Sequence, residues 1–151
     1  MALAAAGAQV TLHPYEHLAG APSYGTEAAD ALGLPPDEVF KTLVARVDGR
    51  LVTAVVPVSG NLDLKALAAA MDGKKAAMAE PADAERATGY VVGGISPVGQ
   101  RSRLPVVVDD SVLALDAVYV SAGRRGLQVR LAPADLLRVT GARTAPLRRG
   151  G

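Results

Sequence analysis

Val39-Phe40-Lys41-Thr42-Leu43-Val44-Ala45-Arg46-Val47, then Asp48-Gly49-Arg50, then Leu51-Val52-Thr53-Ala54-Val55-Val56-Pro57-Val58 is the stretch that decides the fold. Two β-branched, apolar runs joined by Asp-Gly are the signature of a β-hairpin. In the first strand side chains alternate, so Phe40, Thr42, Val44 and Arg46 share one face and Lys41, Leu43, Ala45 and Val47 the other. Lys41 therefore falls on an apolar face. A lysine there reaches water along the strand end, pairs with an acid, or takes a lowered pKa, because desolvation disfavours its charged form. The second run is apolar on both faces except at Thr53, as in a buried strand, and Pro57 marks its end.

Working outward, Thr11 to Ser23 reads as a short extended segment and a loop, and Tyr24 to Leu34 as a helix capped by Thr26 and stopped by Gly33 and Pro35-Pro36. Downstream of the hairpin, Asp63 or Asn61 opens a helix reaching about Met71, with Leu64, Leu67, Ala68 and Met71 at helical spacing. Lys75 to Ala79 is a short strand, and Pro81 begins a helix to about Thr88. Gly89 to Gly99 is a structured loop whose glycines allow close approach of backbone to something bound. Leu104 to Asp109, Ala117 to Ser121 and Leu127 to Leu131 are strands, and Pro133 to Val139 is a helix. The expectation is one α+β domain over residues 1–151, with a mixed, largely antiparallel, barrel-like sheet flanked by helices. Residues 1–10 and the Arg-, Pro- and Gly-rich 141–151 are expected to be flexible.

Composition narrows the function. The 151 residues include four Tyr, one Phe and no Trp, so the core is built from Ala, Val and Leu and stacking platforms for single-stranded nucleic acid are disfavoured. No Cys is present, which excludes disulfides, a protein thiol nucleophile and cysteine-ligated metals, and fits a cytoplasmic protein. Met1 to Val10 lacks the charged start of a signal peptide, and no apolar run approaches the roughly 18 to 20 residues of a membrane span. The net charge of +1 hides an asymmetry: residues 101–151 carry nine Arg against four acids. Clustered Arg suits a phosphate backbone, although arginines scattered over solvated faces give the same count.

Familiar catalytic sets are absent: there is no phosphate-binding loop, dinucleotide fingerprint or nucleophile elbow. His13 and His17 have the spacing of a helical metal pair, but Pro14 between them breaks a helix and no third ligand matches, so neither a metal nor a cofactor is expected. What remains is Lys41 on its apolar face, Tyr15 and Tyr24 beside loops, the Gly93 to Pro97 loop and Ser121 before a glycine turn. Backbone amides of such a loop can hold an oxyanion, and a lysine can hold a carbonyl, carboxyl or phosphate.

Five motifs stand in order: Tyr24-Gly25-Thr26-Glu27-Ala28-Ala29, Val39-Phe40-Lys41-Thr42-Leu43, Leu62-Asp63-Leu64-Lys65, Thr88-Gly89-Tyr90-Val91-Val92-Gly93-Gly94-Ile95-Ser96-Pro97, and Tyr119-Val120-Ser121-Ala122-Gly123-Arg124-Arg125-Gly126-Leu127. With them the chain, over roughly residues 12–145, resembles the YbaK/EbsC-type Cys-tRNA(Pro) deacylases, relatives of the editing domain of bacterial prolyl-tRNA synthetases. The resemblance implies a trans-acting hydrolase of cysteine mischarged on proline tRNA, often working beside prolyl-tRNA synthetase. It implies Lys41, Gly93 and Gly94 as catalytic groups, and Tyr15, Tyr24, Thr42, Ile95, Ser96, Pro97, Ser121 and Gln128 as the substrate pocket. At position 128 some members carry an acidic or small polar residue. Gln128 removes that charge partner for Lys41 and leaves open how the lysine is held. The implied mechanism uses the substrate's own thiol as nucleophile, so the protein positions and stabilises rather than attacks. Arg101, Arg103, Arg124 and Arg125 are the expected tRNA contacts. A related pocket for alanyl or another small aminoacyl group, and a catalytically silent binding relative, remain open at this point.

Overall fold

The computed structural model describes residues 10–15 and 24–149, the side chains of 24–26 excepted; the expectations for residues 1–9, His17 and the Thr26 cap lie outside it. Strand β1 (Thr11–Pro14) precedes helix α1 (Tyr24–Leu32), the hairpin of β2 (Phe40–Val47) and β3 (Arg50–Pro57), and β4 (Asn61–Leu62). Helix α2 (Leu64–Ala70), β5 (Ala76–Met78) and α3 (Pro81–Thr88) follow, and after the glycine loop come β6 (Val106–Asp109), β7 (Val118–Ser121) and β8 (Leu127–Leu131). Helix α4 (Pro133–Thr140), β9 (Arg143–Ala145) and β10 (Arg148–Arg149) complete the order.

Local chemistry sets these elements. Asp48 and Gly49 both take positive φ, 50° and 85°, which suits a two-residue hairpin turn and fixes the register Phe40↔Pro57 through Val47↔Arg50. The Asp63 carboxylate accepts the Ala66 amide at 3.1 Å and caps α2. Pro81 and Pro133 occupy the first helical positions of α3 and α4, and Gly89 and Gly141 end those helices in the left-handed conformation.

The sheet is mixed and largely antiparallel, as expected, but it does not close into a barrel. The order β5-β2-β3-β6-β9 forms a five-stranded sheet, β1-β8-β7 a three-stranded one and β10-β4 a pair. Of the strand ladders among the described residues, β3–β6 and β6–β9 run parallel. The two larger sheets are joined among the described residues by a single Val39↔Tyr119 bridge rather than by a ladder. Phe40, Val55 and Val108 pack between them against Val118, Val120, Val129 and Leu131, so side chains fill the space that a closed barrel would have bridged with hydrogen bonds.

The C-terminal stretch is a second correction. Residues 143–149 are ordered and docked: β9 adds to the edge of β6, and β10 pairs with β4. Leu147 is 0% exposed and packs with Val107, Val56 and Leu67. The Asp109 side chain accepts the Leu147 and Arg148 amides, each at 2.8 Å. One apolar anchor and one buried carboxylate thus outweigh a composition that favours fraying.

Candidate active site

β5 pairs with β2 at Ala45, Arg46 and Val47, and the Ala79 amide donates to the Val44 carbonyl, which leaves the edge of β2 from Phe40 to Leu43 open. A cavity of about 480 Å³ lies along that edge, within the range of small-molecule sites. Phe40 to Val44 form one wall, Met78, Ala79, Pro81 and Ala84 another, and Val92, Gly93 and Ile95 of the glycine loop and Gln128 of β8 complete it. Lys41, Thr42, Gly93, Ile95 and Gln128 therefore come together from three separate parts of the chain.

Lys41 is half-buried among apolar neighbours, and among the described residues its ammonium has no hydrogen bond or ion pair. Burial pushes its pKa below the ordinary lysine value. Among the described residues no Asp, Glu, His or Cys lines the cavity beside it. Thr42 Oγ1 and Gln128 Oε1 are buried and make no hydrogen bond. Gln128, only 6% exposed, thus offers an acceptor in place of a charge partner.

The loop from Gly89 to Gly99 is braced at many points. Tyr90 donates its hydroxyl to the Val98 carbonyl at 2.6 Å, and Glu85 Oε2 accepts the Val92 amide at 2.9 Å. Arg125 donates to the Val92 carbonyl from Nε at 3.0 Å and Nη2 at 2.6 Å. Gly93 has φ 92° and lines the cavity. Gly94 plays a different part from the one its position suggested. Its amide donates to the Val91 carbonyl at 2.8 Å, and a Cβ there would lie 2.8 Å from the backbone of Arg124 and Arg125. The close approach that requires this glycine is chain against chain.

Other expected site residues sit outside the cavity lining. Ser96 is buried and holds the turn, its hydroxyl accepting the Val98 amide at 3.2 Å and its carbonyl the Gln100 side chain. Pro97 lines a separate cavity of about 380 Å³ with Arg101 and Arg103. Ser121 lies opposite Gln128 in the β7–β8 register, and its oxygen accepts the Gly123 amide. Tyr15 packs against the cluster of Ala28, Ala29, Val39 and Tyr119. Tyr24 heads α1, with its side chain outside the described residues. Arg101, Arg103, Arg124 and Arg125 are exposed, and Arg125 also donates to the Val92 carbonyl of the loop. Sequence reasoning missed Glu85, because an acid in the last turn of a helix carries no signal of a partner seven residues on.

Comparison with known proteins places this geometry. A family model described as an aminoacyl-tRNA editing domain matches residues 20–139. EbsC of Enterococcus faecalis, assigned as a Cys-tRNA(Pro)/Cys-tRNA(Cys) deacylase, is 40% identical over 121 residues, 79% of this chain and 73% of that protein. ProXp-y of Escherichia coli, a multifunctional Ser/Thr-tRNA deacylase, is 33% identical over 104 residues, 66% of this chain and 62% of its own length. A solved structure described as a trans-editing enzyme for prolyl-tRNA synthetase superposes with a TM-score of 0.82 at 28% identity, covering 93% of this chain and 87% of that one. With the family model spanning most of its length and the edge cavity lying within that span, the chain belongs to the aminoacyl-tRNA editing domain family.

Proposed function

We propose that the protein is a trans-acting deacylase for Cys-tRNA(Pro), working by cleavage that the substrate's thiol assists. The observation that carries this reading is a cavity with a lysine and a glycine amide but, among the described residues, no activated nucleophile. Among the described residues the one hydroxyl lining it, that of Thr42, has no base beside it. The cysteinyl sulfur attacks the ester carbonyl and the C–S bond forms. The bond to the ribose oxygen then breaks, and the thiol proton passes to that leaving oxygen. Water opens the resulting cyclic thioester to free cysteine. The protein holds thiol and carbonyl in attack geometry and stabilises the oxyanion through the Gly93 amide. Gly94, whose amide is already bonded to Val91, shapes the loop. Lys41 offsets negative charge at the ester and terminal ribose, and the exposed Arg101, Arg103 and Arg124 follow the phosphate backbone. Prolyl-tRNA synthetase is the expected partner and the cytoplasm the expected compartment. Among the described residues no helix is long and apolar enough to cross a membrane.

A second reading has its own support. The unpartnered Thr42 hydroxyl and Gln128 carbonyl suit an aminoacyl side chain that itself carries a hydroxyl, in keeping with the likeness to a Ser/Thr-tRNA deacylase. Deacylation of Cys-, Ser-, Ala- and Pro-tRNA by wild type and Lys41→Ala separates the readings. Cysteinyl ester hydrolysis that vanishes with Lys41 supports the first, and faster seryl hydrolysis the second. Full activity of a folded Lys41→Ala protein removes Lys41 from the site.

A further inference from the structure

Two side chains outside the cavity lining hold the two successive peptide bonds that flank Val92 in the glycine loop. Glu85 on α3 takes the Val92 amide, and the Arg125 guanidinium takes the Val92 carbonyl with two donors. A trans peptide is planar, so its N–H points opposite to its C=O. The N–H that shares a peptide with the Val92 carbonyl is that of Gly93. With the carbonyl seated on Arg125, this N–H points away from Arg125, on the residue that lines the cavity with Lys41 and Ile95. A charge-assisted bond at the carbonyl also polarises the peptide and makes its N–H the stronger donor. Gly94 packs onto the backbone of Arg124 and Arg125, so the turn that carries Arg125 and the loop that carries Gly93 are one packed unit.

We infer that Arg125, with Glu85, is a positioning residue for the deacylase reaction: it orients and polarises the Gly93 amide that faces the developing oxyanion, and its charge is used there instead of on tRNA phosphate. This rests on the reading of Gly93 as oxyanion donor. A tRNA contact at Arg125 would show chiefly as weaker binding, whereas a positioning role shows in turnover.

The test compares wild type, Arg125→Ala, Arg125→Lys and Glu85→Ala, with Arg50→Ala removing an equal charge from the exposed β2–β3 hairpin. Deacylation kinetics on Cys-tRNA(Pro) separate kcat from KM, and the Gly93 amide resonance in NMR spectra reports the peptide independently of activity. Arg125→Ala is expected to lower kcat about tenfold to a hundredfold, with KM changed by less than about twofold and the Gly93 resonance displaced. Arg125→Lys recovers part of the loss. Glu85→Ala, which takes away the acceptor of the Val92 amide, lowers kcat in the same direction, and Arg50→Ala stays near wild type. An Arg125→Ala protein with unchanged kcat and an unmoved Gly93 resonance, or with raised KM and intact kcat, overturns the inference. A wild type that hydrolyses none of the esters defeats the functional reading, and the Gly93 resonance then still decides whether Arg125 sets that amide.

Discussion

Replacing Asp109 by Ala should release the C-terminal strands and cost a large share of the protein's stability. Asp109 is 3% exposed, and its two oxygens divide the work. Oδ1 accepts the Leu147 and Arg148 amides at 2.8 Å, while Oδ2 accepts the amide and hydroxyl of Ser111. Alanine leaves two tail amides without partners in the setting where Leu147 is buried. Breaking such a buried charged network costs about 3 to 5 kcal/mol, against a total of about 5 to 15 for a domain. For a chain of this size that is a fall in Tm of about 6 to 20 °C. Asp109→Asn can keep an oxygen at Oδ1 for the tail and turns its NH2 toward the Ser111 amide, so its loss should be nearer 1 to 2 kcal/mol, about one mismatched hydrogen bond. Burial alone would raise the Asp109 pKa, but the bonds from Ser111, Leu147 and Arg148 outweigh it and leave the carboxyl below its ordinary value. The folded pKa is thus the lower one. The stabilisation is whole above the unfolded value near ~3.9 and is lost as pH falls from there through the folded pKa. Urea denaturation followed by circular dichroism across that acid range gives the magnitude. Trypsin cleavage after Arg143, Arg148 and Arg149 reports release of the tail. An Asp109→Ala protein within about 0.5 kcal/mol of wild type and equally resistant to trypsin would refute the latch.

Thr42→Val replaces an unpartnered buried hydroxyl with a methyl group of similar size, so it should raise stability by about 1 kcal/mol while lowering deacylation; a less stable variant would show that the hydroxyl has a partner in the folded protein. Because burial lowers the Lys41 pKa, its ammonium is lost at a lower pH than an ordinary lysine's. The kcat/KM profile should therefore fall on the alkaline side below ~10.4, and Lys41→Arg should remove that limb if the variant is active; a wild-type profile flat to that pH would remove the lysine's charge from the mechanism. Affinity for tRNA should fall steeply with salt, and Arg101→Ala or Arg103→Ala should each reduce the log–log slope by about one, so an unchanged slope in both would take these residues out of the interface.

Much of the fold was legible because its signals are local. Asp48-Gly49, Pro81, Asp63 and Pro133 each act within a turn or two of chain, and each element they begin or join stands where it was read. The tail was misread because what orders it is distant in sequence. Composition around Arg143 and Arg148 says nothing of Val107 in the register or of Asp109 beneath the amides. The site divides along the same line. The motif residues Gly93 to Pro97 are contiguous, but the cavity takes Gly93 and Ile95, while Gly94 faces the Arg124–Arg125 backbone and Pro97 another cavity. A motif names the residues that travel together in sequence, and the folded loop then divides their duties.

The strongest mark of the site is a defect in an otherwise well-paired interior. Buried Thr88 bonds the Ala84 carbonyl, Thr53 bonds Gln100, Ser96 and Ser121 take amides of their own turns, and Asp109 has four donors. Among the described residues two buried side-chain atoms lack partners, Thr42 Oγ1 and Gln128 Oε1, and both residues line one cavity. Each such atom costs about 1 to 3 kcal/mol, which an apolar side chain of similar shape would avoid. Two costs of that kind from different sheets, meeting beside an unpaired lysine, are what a pocket carries when its hydrogen-bond partners arrive with the substrate.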